Sequence, residues 1–195
     1  MPASPGEALD LGSLHIQLYG VFVLLGIAVW VVATAALWRR GGGDGIEAAW
    51  ACLLALPVAF VGARLYHVVT DYGVYQSDPT GIFDVAHGGL SVFGAVAGGL
   101  LALVVYANLR GWPIGTFLDC AIVGIPLAQA IGRWGNYFNQ ELFGRPTDLP
   151  WALHVDEAFR PYGYAAYETF HPVFLYESLL DIGIFLALEI GRAHV

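Results

Sequence analysis

The segment from Gly132 to Ala152, GRWGNYFNQELFGRPTDLPWA, is dense in side chains that could bind an anion. Two arginines, two asparagines, a glutamate and an aspartate lie between Trp, Tyr and Phe residues. A planar guanidinium can donate two hydrogen bonds to one phosphate, and asparagine amides can anchor ester or backbone oxygens. Taken singly, each residue also fits a helix end closed by salt bridges. Taken together, they favour a site for an anionic headgroup.

The spacing within this segment predicts which side chains lie together. Asn136 and Asn139 follow Arg133 by three and six residues, so the three share a related face if the helix continues. Glu141 and Arg145 are four residues apart and could form an ion pair. The aromatic residues fit an interfacial belt at the membrane surface; they are Trp134, Tyr137, Phe138, Phe143 and Trp151.

Further polar residues lie inside apolar runs. Arg64 could be a structural ion-pair partner, a snorkelling side chain or an anion-binding residue. Glu177, in HPVFLYES, could pair with Arg64 or Arg133 or take part in catalysis. Gly94 and Gly98 form a small-xxx-small pair that predicts close helix packing.

The elements that position these residues are predicted to be membrane helices. Hydrophobic residues make up 57% of the 195-residue chain and charged residues 12%, and the mean hydropathy is +0.64. Apolar runs of spanning length must be helical, because lipid offers the backbone no hydrogen bonds. We expect an all-α, polytopic bundle in a single domain, 1–188, with an outer head segment at about 132–170. The predicted spans are about 18–37, 48–69, 89–109, 114–131 and 171–188.

Charge placement predicts the orientation. Arg39, Arg40 and Arg110 follow the first and third spans, which places those two short loops in the cytoplasm. The N-terminus and the head segment then lie outside. The net charge of −8 argues against nucleic acid as a partner. Cys52 and Cys120 lie in apolar runs and are read as buried hydrophobes. The last residues, EIGRAHV at 189–195, read as a non-native tail, so we expect further helices to be missing.

Four segments together resemble the prolipoprotein diacylglyceryl transferase family. GRWGNYFNQELFGRPTDLPW resembles the long family signature, and LYG, GGLSVFG and HPVFLYE agree in order and spacing. The resemblance implies a membrane transferase of lipoprotein biosynthesis in the bacterial inner membrane. Its reaction moves the diacylglyceryl group of phosphatidylglycerol to a cysteine thiol in the lipobox of a preprolipoprotein, and releases glycerol-1-phosphate. It implies no cofactor and no metal, and we expect a monomer whose active site faces outside the cytoplasm.

The resemblance also assigns residues. Arg133 matches the family's essential arginine, and Asn136, Glu141 and Gly144 match other functionally important positions. Catalysis is predicted to rest on Arg133, Asn136, Glu141, His171 and His87. The predicted substrate-binding residues are Tyr19, Arg64, Gly88, Gly89, Asn139, Gly144, Arg145, Tyr176 and Glu177.

Two departures from the family pattern bear on the mechanism. Many members carry a histidine where this chain has Phe93, so His87, Glu141 and His171 remain as candidate bases. The later helices, with a second important arginine, are absent, so the chain could be inactive. A free thiol has a pKa near 8.5, and positive charge beside it lowers that pKa. Arg133 is predicted to stabilise the leaving phosphate.

Two other functions remain open from the residues alone. A transporter or channel for a small anion would use the same arginines to line a pore, but would place polar residues at several depths. A purely structural membrane subunit would show no headgroup selectivity and would tolerate substitution of Arg133 or Asn136.

Overall fold

A computed structural model describes residues 1–11, 14–76, 79–85 and 88–192. Six α-helices account for most of these residues, as predicted. They are α1 Leu18–Arg40, α2 Gly45–Thr70, α3 Tyr72–Tyr75, α4 Val92–Leu109, α5 Ile114–Phe138 and α6 Val173–Arg192. Two small antiparallel pairs add β1 Ala8–Leu11 with β2 Leu14–Gln17, and β3 Leu153–His154 with β4 Thr169–Phe170.

Four of the helices, α1, α2, α4 and α5, are long and apolar enough to cross a membrane. No more than 33% of the most apolar window of each helix is buried, so apolar side chains face outward. A polytopic helical membrane protein is therefore confirmed. The fifth predicted span corresponds to α6, which carries Glu177, Asp181 and Glu189. Its assignment as a span stays a prediction.

The chain divides into two compact units, the first of which holds Met1–Trp30 and Ile122–Val195. Within it, the backbones of α1 and α5 approach closely at Gly26. A Cβ added there would lie 2.7 Å from the carbonyl oxygen of Ala128. The Ser178 hydroxyl of α6 donates to the carbonyl of Ala130 on α5 at 2.9 Å. The first contact joins α1 to α5, and the second holds α6 beside α5.

The head segment, residues 139–172, lies between α5 and α6 and has a core of its own. Leu153, Val155 and Phe170 are buried there and form a cluster with Phe174 of α6. The all-α prediction left out this short β3–β4 pairing, in which Leu153 lies opposite Phe170 and His154 opposite Thr169. The pairing is two residues long, so it leaves no alternating pattern in the sequence.

The second unit, Val31–Ala121, contains the close helix packing that the glycines predict. A Cβ on Gly94 of α4 would lie 2.2 Å from the carbonyl oxygen of Gly62 on α2, and one on Gly98 would lie 2.7 Å from that of Val58. The prediction for Gly94 and Gly98 is confirmed. The α2 N-terminus is capped by Asp44, whose carboxylate accepts from the backbone N–H groups of Ile46 and Glu47.

Candidate active site

Arg133 and Asn136 lie in the last two turns of α5, because this helix continues to Phe138. The predicted span ended at residue 131, but the helix continues through the polar residues that follow. The two side chains are three residues apart and therefore lie on one face. Asn139 comes directly after the helix, where its backbone N–H still donates to the carbonyl of Gly135 at 3.0 Å.

Glu141 gathers the two predicted asparagines. Its Oε1 accepts from the amide nitrogen of Asn136 at 2.9 Å and from that of Asn139 at 3.3 Å. Asn136 is only 6% exposed, so this bond satisfies a buried amide. The predicted Glu141–Arg145 ion pair is wrong: none joins these residues in the described part of the chain. The chain has left the helix by Glu141, so a spacing of four no longer brings side chains together.

Gln140 holds the turn that follows α5. Its backbone has φ +48°, a conformation that non-glycine residues rarely adopt. Its side-chain amide donates to Asp156 Oδ2 at 2.7 Å and accepts from the Asp156 backbone N–H at 2.8 Å. Leu142, at φ +53°, shows the same strain two residues later. The two hydrogen bonds between Gln140 and Asp156 hold this strained turn in place.

Arg133 pairs with Glu177 on α6. Its Nε lies 2.8 Å from Glu177 Oε2, and the two side chains are 25% and 39% exposed. The contact is an ion pair without hydrogen-bond alignment, since the buried Nε has no hydrogen-bond partner among the described residues. Of the roles considered for Glu177, the structure shows the pairing with Arg133. The terminal nitrogens of Arg133 have no hydrogen bond within the described ranges.

His171, just before α6, lies beside Tyr176 in the first turn of that helix. His171 Nδ1 lies 3.1 Å from the Tyr176 hydroxyl, which accepts from the Trp151 indole at 2.8 Å. The Gly144 N–H donates to the His171 carbonyl, and a Cβ on Gly144 would lie 2.8 Å from the His171 Cβ. A glycine is therefore needed at 144 for this approach.

Arg145 is exposed and lies at a shallow cavity of about 310 Å³ in the head segment. Its backbone carbonyl accepts from the His171 N–H at 3.0 Å. The cavity is otherwise lined by Phe143, Gly144, Pro146, Pro161, Tyr164 and Phe170. Arg160 is structural, since it donates to the carbonyls of Val155 and Ala165.

The aromatic belt at the membrane surface stays a prediction. Trp134, Tyr137 and Phe143 are partly buried and pack against the core of the head segment. Phe138 stacks on Phe22 with 5.2 Å between ring centroids, and Trp151 remains 49% exposed. The rings pack inward because the head segment supplies apolar partners that are distant in sequence. Tyr19, on α1, lies against Gly135, where an added Cβ would come within 2.8 Å of its ring.

Arg64, in the second unit, has all five guanidinium N–H groups in hydrogen bonds to backbone carbonyls. Nε donates to Ile82, one terminal nitrogen to Gly88 and Gly89, and the other to Gly81 and Asp84, at 2.6 to 2.8 Å. The side chain is 8% exposed. None of the roles predicted for Arg64 anticipated this arrangement.

Gly88 and Gly89 adopt φ +90° and +78° beside Arg64. A Cβ on Gly89 would lie 2.3 Å from the Arg64 terminal nitrogen, so this approach requires glycine. The surrounding cavity measures about 250 Å³ and includes His67 and Tyr75. His87 lies outside the described residues. Phe93, at the family's histidine position, is 73% exposed and lies beside Tyr66.

Comparison with known proteins identifies the family. The profile described as prolipoprotein diacylglyceryl transferase matches residues 7–194. The chain belongs to the prolipoprotein diacylglyceryl transferase family.

Curated relatives carry the name phosphatidylglycerol–prolipoprotein diacylglyceryl transferase. The protein of Cutibacterium acnes is 42% identical over 98% of this chain and 66% of its own length. The Streptomyces griseus protein is 41% identical over 95% and 57%, and that of Synechococcus elongatus 40% over 95% and 64%. The chain thus spans less than two thirds of the length of these transferases.

The structure brings together several of the predicted site residues, which lie on α5, in the turn after it and on α6. Arg133, Asn136, Asn139, Glu141 and Glu177 form two adjoining sets of polar contacts. Gly144, His171 and Tyr176 form a third set in the head segment. Among the described residues, no group of three or more His, Cys, Asp or Glu side chains could hold a metal ion.

Sequence reasoning missed two buried polar residues near the candidate site. Gln140 lies between the predicted site residues Asn139 and Glu141, but its hydrogen-bond partner Asp156 is sixteen positions away. Asp181 is 8% exposed and lies one turn beyond Glu177 on α6. The spacing of four between two acidic residues in an apolar helix was the available signal for Asp181.

Proposed function

We propose that the protein transfers the diacylglyceryl group of phosphatidylglycerol to the lipobox cysteine of a preprolipoprotein. The thiolate sulfur forms a bond to the glyceryl C3 carbon as the bond from that carbon to the phosphate oxygen breaks. Glycerol-1-phosphate leaves, and the thiol proton passes to a base. Family membership and the names of the relatives support this reaction over an anion channel.

One observation carries the proposal: among the described residues, Arg133 is ion-paired with a partly exposed carboxylate, that of Glu177, near the end of a membrane helix. A phosphate can therefore reach its free terminal nitrogens without first opening a buried network. The guanidinium would neutralise the charge that develops on the leaving phosphate. Asn136, through Glu141, would hold the end of α5 in place for this contact.

The remaining predicted residues are assigned supporting roles. Asn139 and Tyr19 would line the approach to Arg133, and Tyr176 would orient His171. Gly144 and Arg145 would contact the peptide through the head segment. Arg64 would act with Gly88 and Gly89 by shaping their loop, since its own donors are occupied. His171, Glu141 and His87 remain the candidate bases for the thiol proton.

The proposed setting is the bacterial cell membrane, with the head segment outside the cytoplasm. The proposed partners are phosphatidylglycerol, other membrane lipid and the lipobox peptide. A monomer suffices, because every residue named belongs to one chain. The reaction as written requires no cofactor or metal.

The test replaces Arg133 in protein reconstituted with phosphatidylglycerol and a lipobox peptide. Arg133→Ala should lower the rate of lipidated-peptide formation by about a hundredfold or more, because a preorganised charge contact in the transition state is lost. Mass spectrometry of the peptide measures the product. Arg39→Ala, at an exposed arginine, should leave the rate unchanged. A mutant at Arg133 that inserts normally and keeps its rate would remove Arg133 from the mechanism.

A further inference from the structure

His67, in the last turn of α2, lies beside the carboxylate of Asp71, one helical turn later. Nδ1 of its imidazole is 3.0 Å from Asp71 Oδ2, which is within hydrogen-bond distance. A carboxylate oxygen only accepts hydrogen bonds, so the neutral imidazole carries its proton on Nδ1. Its lone pair is therefore on Nε2, at the opposite edge of the ring.

The Nε2 edge of the ring faces the cavity of about 250 Å³ that also includes Arg64, Gly88 and Gly89. A Cβ on Gly89 would lie 2.8 Å from Nε2 and 2.7 Å from Cδ2, so this edge points at the glycine. Nε2 makes no hydrogen bond to the described residues. The Tyr75 ring packs edge-on against the imidazole, with 5.9 Å between ring centroids. The His67 side chain is 28% exposed, so it is held in place yet open to an incoming group.

The charged groups at this cavity favour a neutral ligand over an anionic one. Arg64 donates its five N–H groups to backbone carbonyls, so it has none left for a phosphate. Asp84, the other charged residue that lines the cavity, adds a negative charge. Asp71 stabilises the positive charge that the imidazole gains when it takes up a proton. The cavity therefore suits a group that gives up a proton, such as a thiol or a hydroxyl.

The cavity also has the size of a side chain. Its volume of about 250 Å³ lies below the range of about 300–1,000 Å³ in which drug-sized ligands bind. Gly88 and Gly89 have no side chains, so the backbone of an extended peptide can come close to His67 there. A peptide cysteine therefore fits this cavity better than a phospholipid does.

His67 differs from the other described candidates for the proton acceptor. His171 Nδ1 faces the Tyr176 hydroxyl, which can donate or accept, so that contact does not fix the tautomer. Glu141 Oε1 already accepts from two amides. Of these three described residues, His67 alone has a carboxylate within hydrogen-bond distance of one ring nitrogen and an open second nitrogen.

We infer that His67 accepts the proton of the substrate cysteine thiol, and that Asp71 is a positioning residue that fixes the tautomer of the imidazole. As the S–H bond breaks, its proton forms the Nε2–H bond, and the sulfur electron pair forms the bond to the glyceryl C3 carbon. The electron pair of the C3–O bond leaves with the phosphate, and the imidazolium then returns its proton to water. The inference rests on the proposed function, because the thiol is that of the lipobox peptide.

The experiment compares His67→Gln with His154→Gln in protein reconstituted with phosphatidylglycerol. His154 is the matched control, because its ring nitrogens lie 4.0 and 3.9 Å from carboxylates, beyond hydrogen-bond distance. With a cysteine lipobox peptide, His67→Gln should lower the rate of lipidation by about a hundredfold or more, as loss of a general base does. With a selenocysteine peptide, both variants should react at the wild-type rate, because a selenol is ionised at neutral pH and needs no base.

Two further measurements separate proton transfer from structural support. Imidazole added to the His67→Ala variant should restore part of its activity with the cysteine peptide, because free imidazole can accept the proton. Asp71→Asn should lower kcat by about tenfold or more with KM unchanged, because an amide no longer fixes the Nδ1 tautomer. Asp71→Glu, which keeps the charge, should recover part of kcat.

A last measurement requires no transfer activity. Diethyl pyrocarbonate modifies neutral imidazole nitrogens, and mass spectrometry locates the modified histidines. In phosphatidylcholine vesicles without phosphatidylglycerol, a lipobox peptide with serine in place of cysteine should slow the modification of His67. The modification of His154 should not change.

Equal losses with the cysteine and selenocysteine peptides in His67→Gln would overturn the inference, as would a His67 that the serine peptide does not protect. Wild-type protein that lipidates neither peptide would instead refute the proposed function. In that case, protection of His67 still decides whether a peptide binds at this cavity.

Discussion

Arg64 and Arg133 both lie in long apolar helices, yet their guanidinium groups have different partners. Arg64 donates to five backbone carbonyls and is buried. Arg133 contacts one carboxylate and keeps its terminal nitrogens available. A guanidinium with every donor occupied organises the chain around it, whereas one with open donors can bind a ligand. The difference in hydrogen bonding therefore separates a structural arginine from a candidate catalytic one.

Replacement of Arg64 tests its structural role. Arg64→Lys leaves three donors for five carbonyls, so buried acceptors lose their partners. We expect the free energy of unfolding to fall by about 3 kcal/mol, measured by denaturant titration in detergent micelles. Arg39→Lys, at an exposed arginine, should change it by less than about 0.5 kcal/mol. Equal stability of the two variants would show that the carbonyl contacts of Arg64 contribute little.

In the second unit, α2 and α4 pack closely because glycines at their contact have no side chain. Gly62 and Gly94 allow the backbones of α2 and α4 to approach to distances that no Cβ could tolerate. In lipid, helix association depends on such close packing because the tails are as apolar as the side chains. Gly89 likewise allows a close approach, here between the backbone and the Arg64 guanidinium.

Addition of a single methyl group tests this packing. Gly94→Ala places a carbon 2.2 Å from the Gly62 carbonyl oxygen, so α2 and α4 must separate. We expect the free energy of unfolding to fall by about 2 kcal/mol, because overpacking a core costs about 1–3 kcal/mol. Gly99→Ala is the matched control, since its Cβ would meet Ala59 at 3.4 Å. A melting temperature that falls equally in both variants would contradict the role of the close approach.

The elements differ in how far the sequence predicts them. The helices follow from run length and apolarity, and the close packing at Gly94 and Gly98 follows from glycine spacing. The helix that carries Arg133 ends seven residues beyond the predicted limit of 131, because propensity alone does not show where polar residues leave the helix.

The sequence predicted where the head segment lies in the chain, but not its buried core or its strand pairing. Its core joins residues that are distant in sequence, such as Phe143 with Phe170. Gln140 and Asp156 meet only because that core forms. The sequence alone indicated which residues belong to the candidate site, because a charged side chain inside an apolar run is costly and therefore conspicuous. It did not indicate which of them pair, because the pairing depends on contacts between residues that are distant in sequence.

At the scale of the whole molecule, arginine placement predicts the direction in which the chain crosses the membrane. The protein carries a net charge of −8, and its basic residues include the pair Arg39–Arg40 directly before a glycine-rich turn. Cytoplasmic loops are enriched in arginine and lysine, so this pair predicts that the turn lies in the cytoplasm and that the head segment lies outside it. The proposed reaction requires that orientation.

Thiol labelling tests the orientation without background, because Cys52 and Cys120 are both 0% exposed. Glu157→Cys, at an exposed residue of the head segment, should react with a membrane-impermeant maleimide in intact cells. Gly42→Cys, in the exposed turn after α1, should react only after permeabilisation. Labelling of the turn in intact cells would reverse the assignment, and the unsubstituted protein should remain unlabelled.

The contacts of Arg64 have a consequence for how this region can vary over evolutionary time. The guanidinium recognises main-chain oxygens of Gly81, Ile82 and Asp84, and these oxygens are the same for every amino acid. The side chain at Ile82 can therefore change while the loop keeps its path. A library of substitutions there should be tolerated far better than any change at Arg64 itself.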